Sequence, residues 1–411
     1  MAIDDIISTG SEPRGPWRRR AAIGAVVAVV LAALIIQHWP AGSRGPGRHH
    51  GAGPAAVTAP ASPPSAVLPV PEAPSGRPDG ITGPVAAWNP AQRLLIAGQR
   101  PAWFWPASGR VERIGGLPDS PAGYSVTRAL GGWVVQAAPP SGPMCTSCTT
   151  PPPPVYFLAD RARAAVPLGV ATSVAPAAQP GSAWLTTNVV SVSGGAPGRM
   201  SGIAHDVTAG RAMVGPGVRL PAGYVIVTGT ARGLLLAPAV GSPGGNADEL
   251  WNPVTGLVIR RFARVIGASP AGIAWAPACQ VRCAVGVLDV ATGRQRLIGL
   301  PAGSSPASAQ FSQDGRLLAL ELSFGNGGDG GSVATRLEVA AVASGRLAVV
   351  PGTWASSDAL AGFGWPVGGD RLVAELGFIS KVQVASWRPG ARRLAVAVVR
   401  PDRHPDDLIV G

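Results

Sequence analysis

The sequence predicts an all-β fold, a seven-bladed β-propeller of four-stranded blades, preceded by one transmembrane helix and a disordered Pro/Gly-rich linker. Three observations predict it. A hairpin turn ending in Gly recurs through residues 85–411 at a mean spacing of about 47 residues. A second hairpin motif precedes several of those turns, so each repeat supplies four strands. One uncharged apolar run, Ala21–Ile36, stands ahead of a stretch crowded with Gly and Pro.

In chain order, residues 1–20 are read as a cytoplasmic tail and 21–39 as the membrane helix. With Gln37, His38 and Trp39 the apolar run makes a segment of about 19 residues, near the roughly 20 a helix needs to cross a bilayer. Arg14, Arg18, Arg19 and Arg20 precede it and only Arg44 and Arg48 closely follow. This bias puts the N-terminus inside and the rest of the chain outside. A cleaved signal peptide is the competing reading. It fits less well, because the core is long and ends in Ile-Ile-Gln-His-Trp-Pro, a poor cleavage context. Residues 40–84 hold 19 Gly or Pro in 45, too little apolar surface to offset the entropy of ordering.

Residues 85–400 are assigned to the propeller and 401–411 to a C-terminal tail. The Gly turn reads WFWPASGRVERIG (103–115), IAHDVTAGRAMVG (203–215), LWNPVTGLVIRRF (250–262), VLDVATGRQRLIG (287–299), VAAVASGRLAVVPG (339–352) and VASWRPGARRLAVAV (384–398). A degenerate copy, VYFLADRARAAVPLG (155–169), has Ala162 at the Gly position. Gly suits the place because the residue re-entering the second strand of such a hairpin commonly needs a positive φ. The second motif reads AWNPAQRLLIAG (87–98), AQFSQDGRLLALEL (309–322) and GFGWPVGGDRLVAEL (362–376). The blades expected are 85–121, 122–171, 172–220, 221–263, 264–302, 303–352 and 353–400. A β-sandwich is the alternative, but it does not predict the period.

FSQDGRLLALEL and VLDVATGRQRLIG resemble the strand-turn-strand and the D-x-x-T-G blade turn of TolB-like and WD-repeat-like propellers. No Trp-Asp pair closes the blades, a departure from true WD repeats. With the anchor and tether, the chain resembles exported, membrane-anchored propellers of high-GC Gram-positive bacteria. The resemblance implies the fold, and binding of a ligand or protein by analogy.

Composition narrows the rest. With 56 Gly and 43 Pro a helical bundle is excluded, and one spanning run excludes a polytopic membrane protein. The net charge is +12, and 33 of the 34 basic residues are arginines, Lys381 being the one lysine. These arginines lie scattered along the chain without the clustered stripe of a nucleic-acid surface, so no nucleic-acid partner is expected. Cys145 and Cys148 fall in one b–c connection, Cys279 and Cys283 in another. In an oxidising compartment they read as two local disulfides rather than a zinc site, since the pairs sit on blades that are not neighbours.

No catalytic, cofactor-binding or metal-ligating set is expected. Outside the anchor and tether there are two histidines, His205 and His404; His205 is read as structural, with adjacent Asp206 on the opposite face. The pairs Asp248–Glu249 and Asp406–Asp407 are read as solvated, and Asp329 in GNGGDGG alone is too little for calcium. WFW at 103–105 is expected to fill space between blades. Long b–c loops at 138–154, 191–200, 238–249 and 324–335 mark one face as the place for binding. The leading reading is a membrane-anchored extracytoplasmic module, non-enzymatic, that binds a partner protein or cell-envelope component on that loop face. The alternatives are a propeller hydrolase or lyase with its site at the channel mouth, and a purely structural envelope role.

Overall fold

A computed structural model describes residues 81, 85–97, 100–120, 122–138, 151–190, 200–209, 217–239, 247–279, 283–325, 334–356, 360–366, 370–377, 382–399 and 408–409. The span at 21–39 and the linker at 40–84 lie outside them, as do Cys145, Cys148, Asp329, His404, Asp406 and Asp407. Among the described residues no helix is long and apolar enough to cross a membrane.

The described strands form seven sheets, each built on an antiparallel ladder of four strands, here a to d from the axis outward; in blade 6 the short strand Ala355–Ser356 also pairs with strand c. Blades 2 to 7 occupy 124–170, 173–219, 224–262, 265–299, 304–349 and 360–399. These are the blades expected from the period, to within a few residues. A strand pair alone would leave two apolar faces wet, and the cores show how this is solved. Among the described residues the apolar core divides into seven clusters, each shared by two adjacent blades. Blade 6 illustrates the alternation. Leu318, Leu320 and Leu322 pack against blade 5, while Ala319, Leu337 and Val339 pack against blade 7.

The ring is closed from both ends of the chain. Leu408–Ile409, within the stretch read as a tail, pairs antiparallel with Leu94–Ile96 and supplies strand a of blade 1. Val85–Ala86 pairs parallel with Leu394–Val399 and becomes a fifth, outermost strand of blade 7. The last cluster joins Trp88, Leu94, Ile96 and Phe104 of blade 1 to Val373, Val384 and Ala395 of blade 7. Every described strand therefore pairs within 85–409, and the compact unit Ala66–Gly411 contains the complete set of strands and cores.

Two local devices shape the blades. In blades 4 to 7 the a–b ladder slips by one residue, at Ile226/Thr228, Val265/Gly267, Pro306/Ser308 and Leu360/Gly362. Such a bulge bends the strand and increases its twist where the sheets crowd the axis. At Gly267 the crowding is tightest, since a Cβ there would lie 2.2 Å from the Ala309 carbonyl oxygen of blade 6. The second device is the c–d turn. Gly109, Gly256, Gly293 and Gly345 all have φ near +70°. Each donates its N–H to the carbonyl four residues back, at 2.7–2.9 Å.

The degenerate copy corrects the sequence reading in detail. In blade 2 the left-handed residue is Arg161, φ +70°, one place before Ala162. Ala162 N–H instead closes a shorter turn onto Ala159 O at 2.9 Å. A non-Gly residue in this conformation costs roughly 1 kcal/mol.

Because strand a of blade 1 arrives from the far end of the chain, removing residues 406–411 leaves Leu94–Ile96 as a bare inner edge. The truncated ectodomain is expected to melt roughly 5 °C lower and to aggregate through that edge. Calorimetry and light scattering would check it; an unchanged melting curve would mean the terminal strand does not close the ring.

Candidate functional site

The ladder sets the map of the two ends of the ring. The a–b and c–d turns lie at one end, and the b–c loops and the connections between blades at the other. Two cavities stand out among the described residues, one at each end.

The cavity at the loop end lies between blades 1 and 2. Its volume is about 280 Å³, and Arg100, Pro101, Arg113, Ile114, Leu117 and Asp119 line it together with Pro118. Arg100 and Pro101 come from the b–c loop of blade 1, the others from the end of its strand d and the crossing to blade 2. Arg100 Nε reaches Asp119 Oδ1 at 3.2 Å, both side chains exposed. Behind the wall, Tyr124 donates its hydroxyl proton to the Pro118 carbonyl and fixes the crossing. Burial pushes the Tyr124 phenol up to about 12, with Tyr156 and Asp119 adding to the shift.

The cavity at the turn end lies between blades 3 and 4, with a volume of about 360 Å³. Trp184, Asp206, Thr230, Arg232, Asn252 and Val254 contribute to its lining. Burial raises the Asp206 carboxyl above the usual range, and a hydrogen bond with Ser182 partly offsets the rise. A Cβ on Gly229 would lie 2.6 Å from Trp184 Nε1, so Gly at this position leaves room for the indole. Arg232 reaches blade 5, where a Cβ on Gly293 would lie 2.7 Å from its guanidinium nitrogens.

The residues singled out in the sequence fall as follows. His205 and Asp206 pair with Leu185 and Trp184 respectively and point to opposite faces, as expected. The His205 ring packs where a Cβ on Gly217 would meet it at 2.8 Å. Trp103 and Phe104 fill the cores toward blades 2 and 7, as expected. The solvated reading of Asp248 and Glu249 is corrected. Both lie in strand c of blade 4, and Glu249 is buried with its carboxylate 2.8 Å from Arg261 Nε. Asp248 Oδ2 accepts the Val265 N–H at 2.6 Å, which stitches blade 4 to blade 5. Cys279 and Cys283 form a disulfide in the b–c loop of blade 5.

Sequence reading passed over a further buried pair. Arg336 is ion-paired to Glu338, two residues along the same strand face. Its guanidinium lies against the rings of both Phe324 and Trp354, at 4.9 and 4.8 Å. The spacing R-x-E on a strand was the available signal, but only the packing of Trp354 onto Phe324 makes it a buried slot. Among the described residues no group of three or more His, Cys, Asp or Glu side chains is placed to hold a metal ion.

No protein-family model matches the chain, and no curated protein matches its sequence. Solved structures match in fold. A Lactobacillus plantarum protein is 11% identical with TM-score 0.43, covering 75% of this chain and 97% of its own. A functionally unknown protein from Desulfotomaculum acetoxidans is 11% identical with TM-score 0.40, covering 75% and 100%. An acylaminoacyl peptidase, solved with a chloromethyl ketone, is 10% identical with TM-score 0.49, covering 76% of this chain and 51% of its own.

A tyrosine whose folded pKa lies above its unfolded value holds its proton more tightly when folded. The Tyr124 contribution to stability is therefore complete below pH 10.0 and is lost as pH climbs through about 12. In a tyrosinate absorbance titration of the three tyrosines, Tyr124→Phe is expected to remove a step near pH 12. Superimposable curves would contradict the buried, hydrogen-bonded phenol.

Proposed function

We propose that the chain is a membrane-anchored extracytoplasmic binding module, a non-enzymatic scaffold that recognises a partner protein or cell-envelope component on its loop face. The observation that carries this reading is the cavity between blades 1 and 2. It is of a size for one or two side chains, with an apolar floor of Ile114 and Leu117 and a rim of Arg100, Arg113 and Asp119. Two guanidinium groups against one carboxylate favour a carboxylate from the partner, which Arg can take in a bidentate grip. The connection 138–154 leaves and rejoins blade 2 at the same end, after Gly132–Ala137 and before Pro154–Ala159.

In this reading the helix at 21–39 anchors the chain with its N-terminus in the cytoplasm. The linker at 40–84, extended at about 3.1 Å per residue where Pro-rich, gives the propeller reach. Cys145 and Cys148 form a second local disulfide that holds the 138–154 loop in shape. The ring contributes rigidity, which lowers the entropy a partner must overcome on docking.

Two measurements test the reading. Recovery of partners from an envelope extract by the purified ectodomain is expected to fall at least tenfold for Arg113→Glu and for a variant with 138–154 shortened. A partner that both variants recover in full would place recognition elsewhere. Under denaturing, non-reducing conditions the protein is expected to show no reactive thiol; two would leave Cys145 and Cys148 reduced.

A further inference from the structure

The arginines that lie scattered along the sequence are gathered by the fold. Among the described residues, the turns joining a to b and c to d, with the segment entering strand b of blade 1, hold ten arginines and three aspartates. The described residues of the loop-end connections include two arginines, Arg100 and Arg264, and one aspartate, Asp119. The reason is the repeat itself. The position after the left-handed Gly is Arg110, Arg294 and Arg346 in blades 1, 5 and 6, always at the turn end. The aspartates there are partly committed already, Asp160 to a two-pronged ion pair with Arg128 at 2.6 and 2.8 Å, and Asp314 to its own turn.

Blade 4 breaks the pattern in one informative way. Its c–d turn carries Leu257 where blades 1, 5 and 6 carry Arg, and Val254 stands at its tip. Val254 is 91% exposed and Leu257 67%, and Ile259 beside them is 45% exposed. The turn is rigid, because Asn252 Oδ1 accepts the N–H groups of Val254 at 2.9 Å and Thr255 at 3.2 Å. Val254 shares its cavity with Arg232, which reaches the Gly293–Arg294 turn of blade 5. An apolar tip thus stands on the same face as these arginines, beside Arg232.

We propose that the turn face docks on an anionic lipid bilayer, with the turn arginines among the headgroups and Val254 and Leu257 in the interfacial layer. A polyanion in solution would be met by the arginines alone and offers nothing to an exposed, rigid pair of aliphatic side chains. A bilayer surface takes both, since basic residues favour anionic headgroups and aliphatic ones partition just below them. Charge alone is worth roughly fivefold in partitioning per arginine near the surface. This contact is separate from the N-terminal anchor, and it leaves the loop face turned away from the lipid.

The test uses the ectodomain from Ala66 onward, which carries every strand of the ring and lacks the apolar N-terminal run. It is floated with phosphatidylcholine vesicles with and without about one third phosphatidylglycerol, and separately titrated with heparin. Binding to the anionic vesicles only is expected, with loss at high salt. Arg294→Ser, Arg346→Ser, Arg392→Ser and Arg393→Ser combined should weaken it at least tenfold, and Arg100→Ser should not. Val254→Ser with Leu257→Ser, which leaves the charge unchanged, should also weaken vesicle binding at least tenfold while heparin binding stays within about twofold. Both variants lie on exposed turns, and melting curves would confirm that they fold. Equal binding to neutral vesicles, indifference of vesicle binding to the Val254/Leu257 pair, or no vesicle binding at all would overturn the proposal.

Discussion

Everything in this molecule depends on each blade covering the apolar face of the next, all the way round. A four-stranded sheet in the sequence of blade 6 has leucines on one side and alanine, leucine and valine on the other. Burying one such leucine is worth about 1.5–3 kcal/mol, so leaving even one face wet would cost more than a domain has to spare. Closure is therefore a condition of stability rather than an ornament of the architecture. It explains why the thinnest blade, with Leu94–Ile96 as its strand b, borrows a strand from residues 408–409. It also explains why Val85–Ala86 runs parallel to its neighbour: that short piece enters from outside the blade that it covers.

Closure fixes the turns as well. Strands c and d must reverse within a few residues while the sheet keeps its right-handed twist, and the left-handed residue is how the chain does it. Polar side chains then complete the turn. Asp289 accepts the Thr292 N–H at 3.0 Å, Asn252 that of Val254 at 2.9 Å and Asp314 that of Arg316 at 3.1 Å. The Thr292 N–H holds the Asp289 carboxyl below its ordinary range, and in the a–b turn of blade 6 the Ser312 hydroxyl, with the Arg316 N–H, does the same for Asp314. The acidic side chains of this face are thus partly spent on structure. Of the arginines that follow the glycines, Arg110 is engaged as well, stacked on Trp105 and paired with Glu112.

Periodicity made the blades legible before any coordinates: glycine at a fixed offset and an apolar strand on either side of it are local signals, repeated. Ring closure was not legible, because a two-residue pairing between positions 95 and 409 has no pattern of its own. Arg161 escaped because the strained residue lacks the usual glycine, and sequence alone cannot tell which neighbour takes the positive φ. Glu249 was misjudged for a related reason. A charged pair next to a Gly-rich stretch looks solvated, and only the partner strand places Arg261 beside the buried carboxylate. Of the candidate sites, Asp206 was noticed but its cavity was not, since Arg232 and Asn252 come from another blade. The loop-end cavity was missed in the same way, being assembled from both ends of the first blade.

The arginines teach the converse lesson. Spacing of about 47 residues looks like dispersion along a chain, yet a repeat of that length is one turn of the architecture, and equal positions become one surface. Neighbouring blades bring some of these arginines within reach of one another: burial, and after it the charge of Arg161 on blade 2, lowers the pKa of Arg93 on blade 1. A flat, extended anionic surface can meet many of them at once, whereas a small anion meets one or two. Such contacts add up as separate weak increments rather than as one deep site. A face built this way gains affinity by the count of blades that touch, which is a property of the whole ring and of no single residue in it.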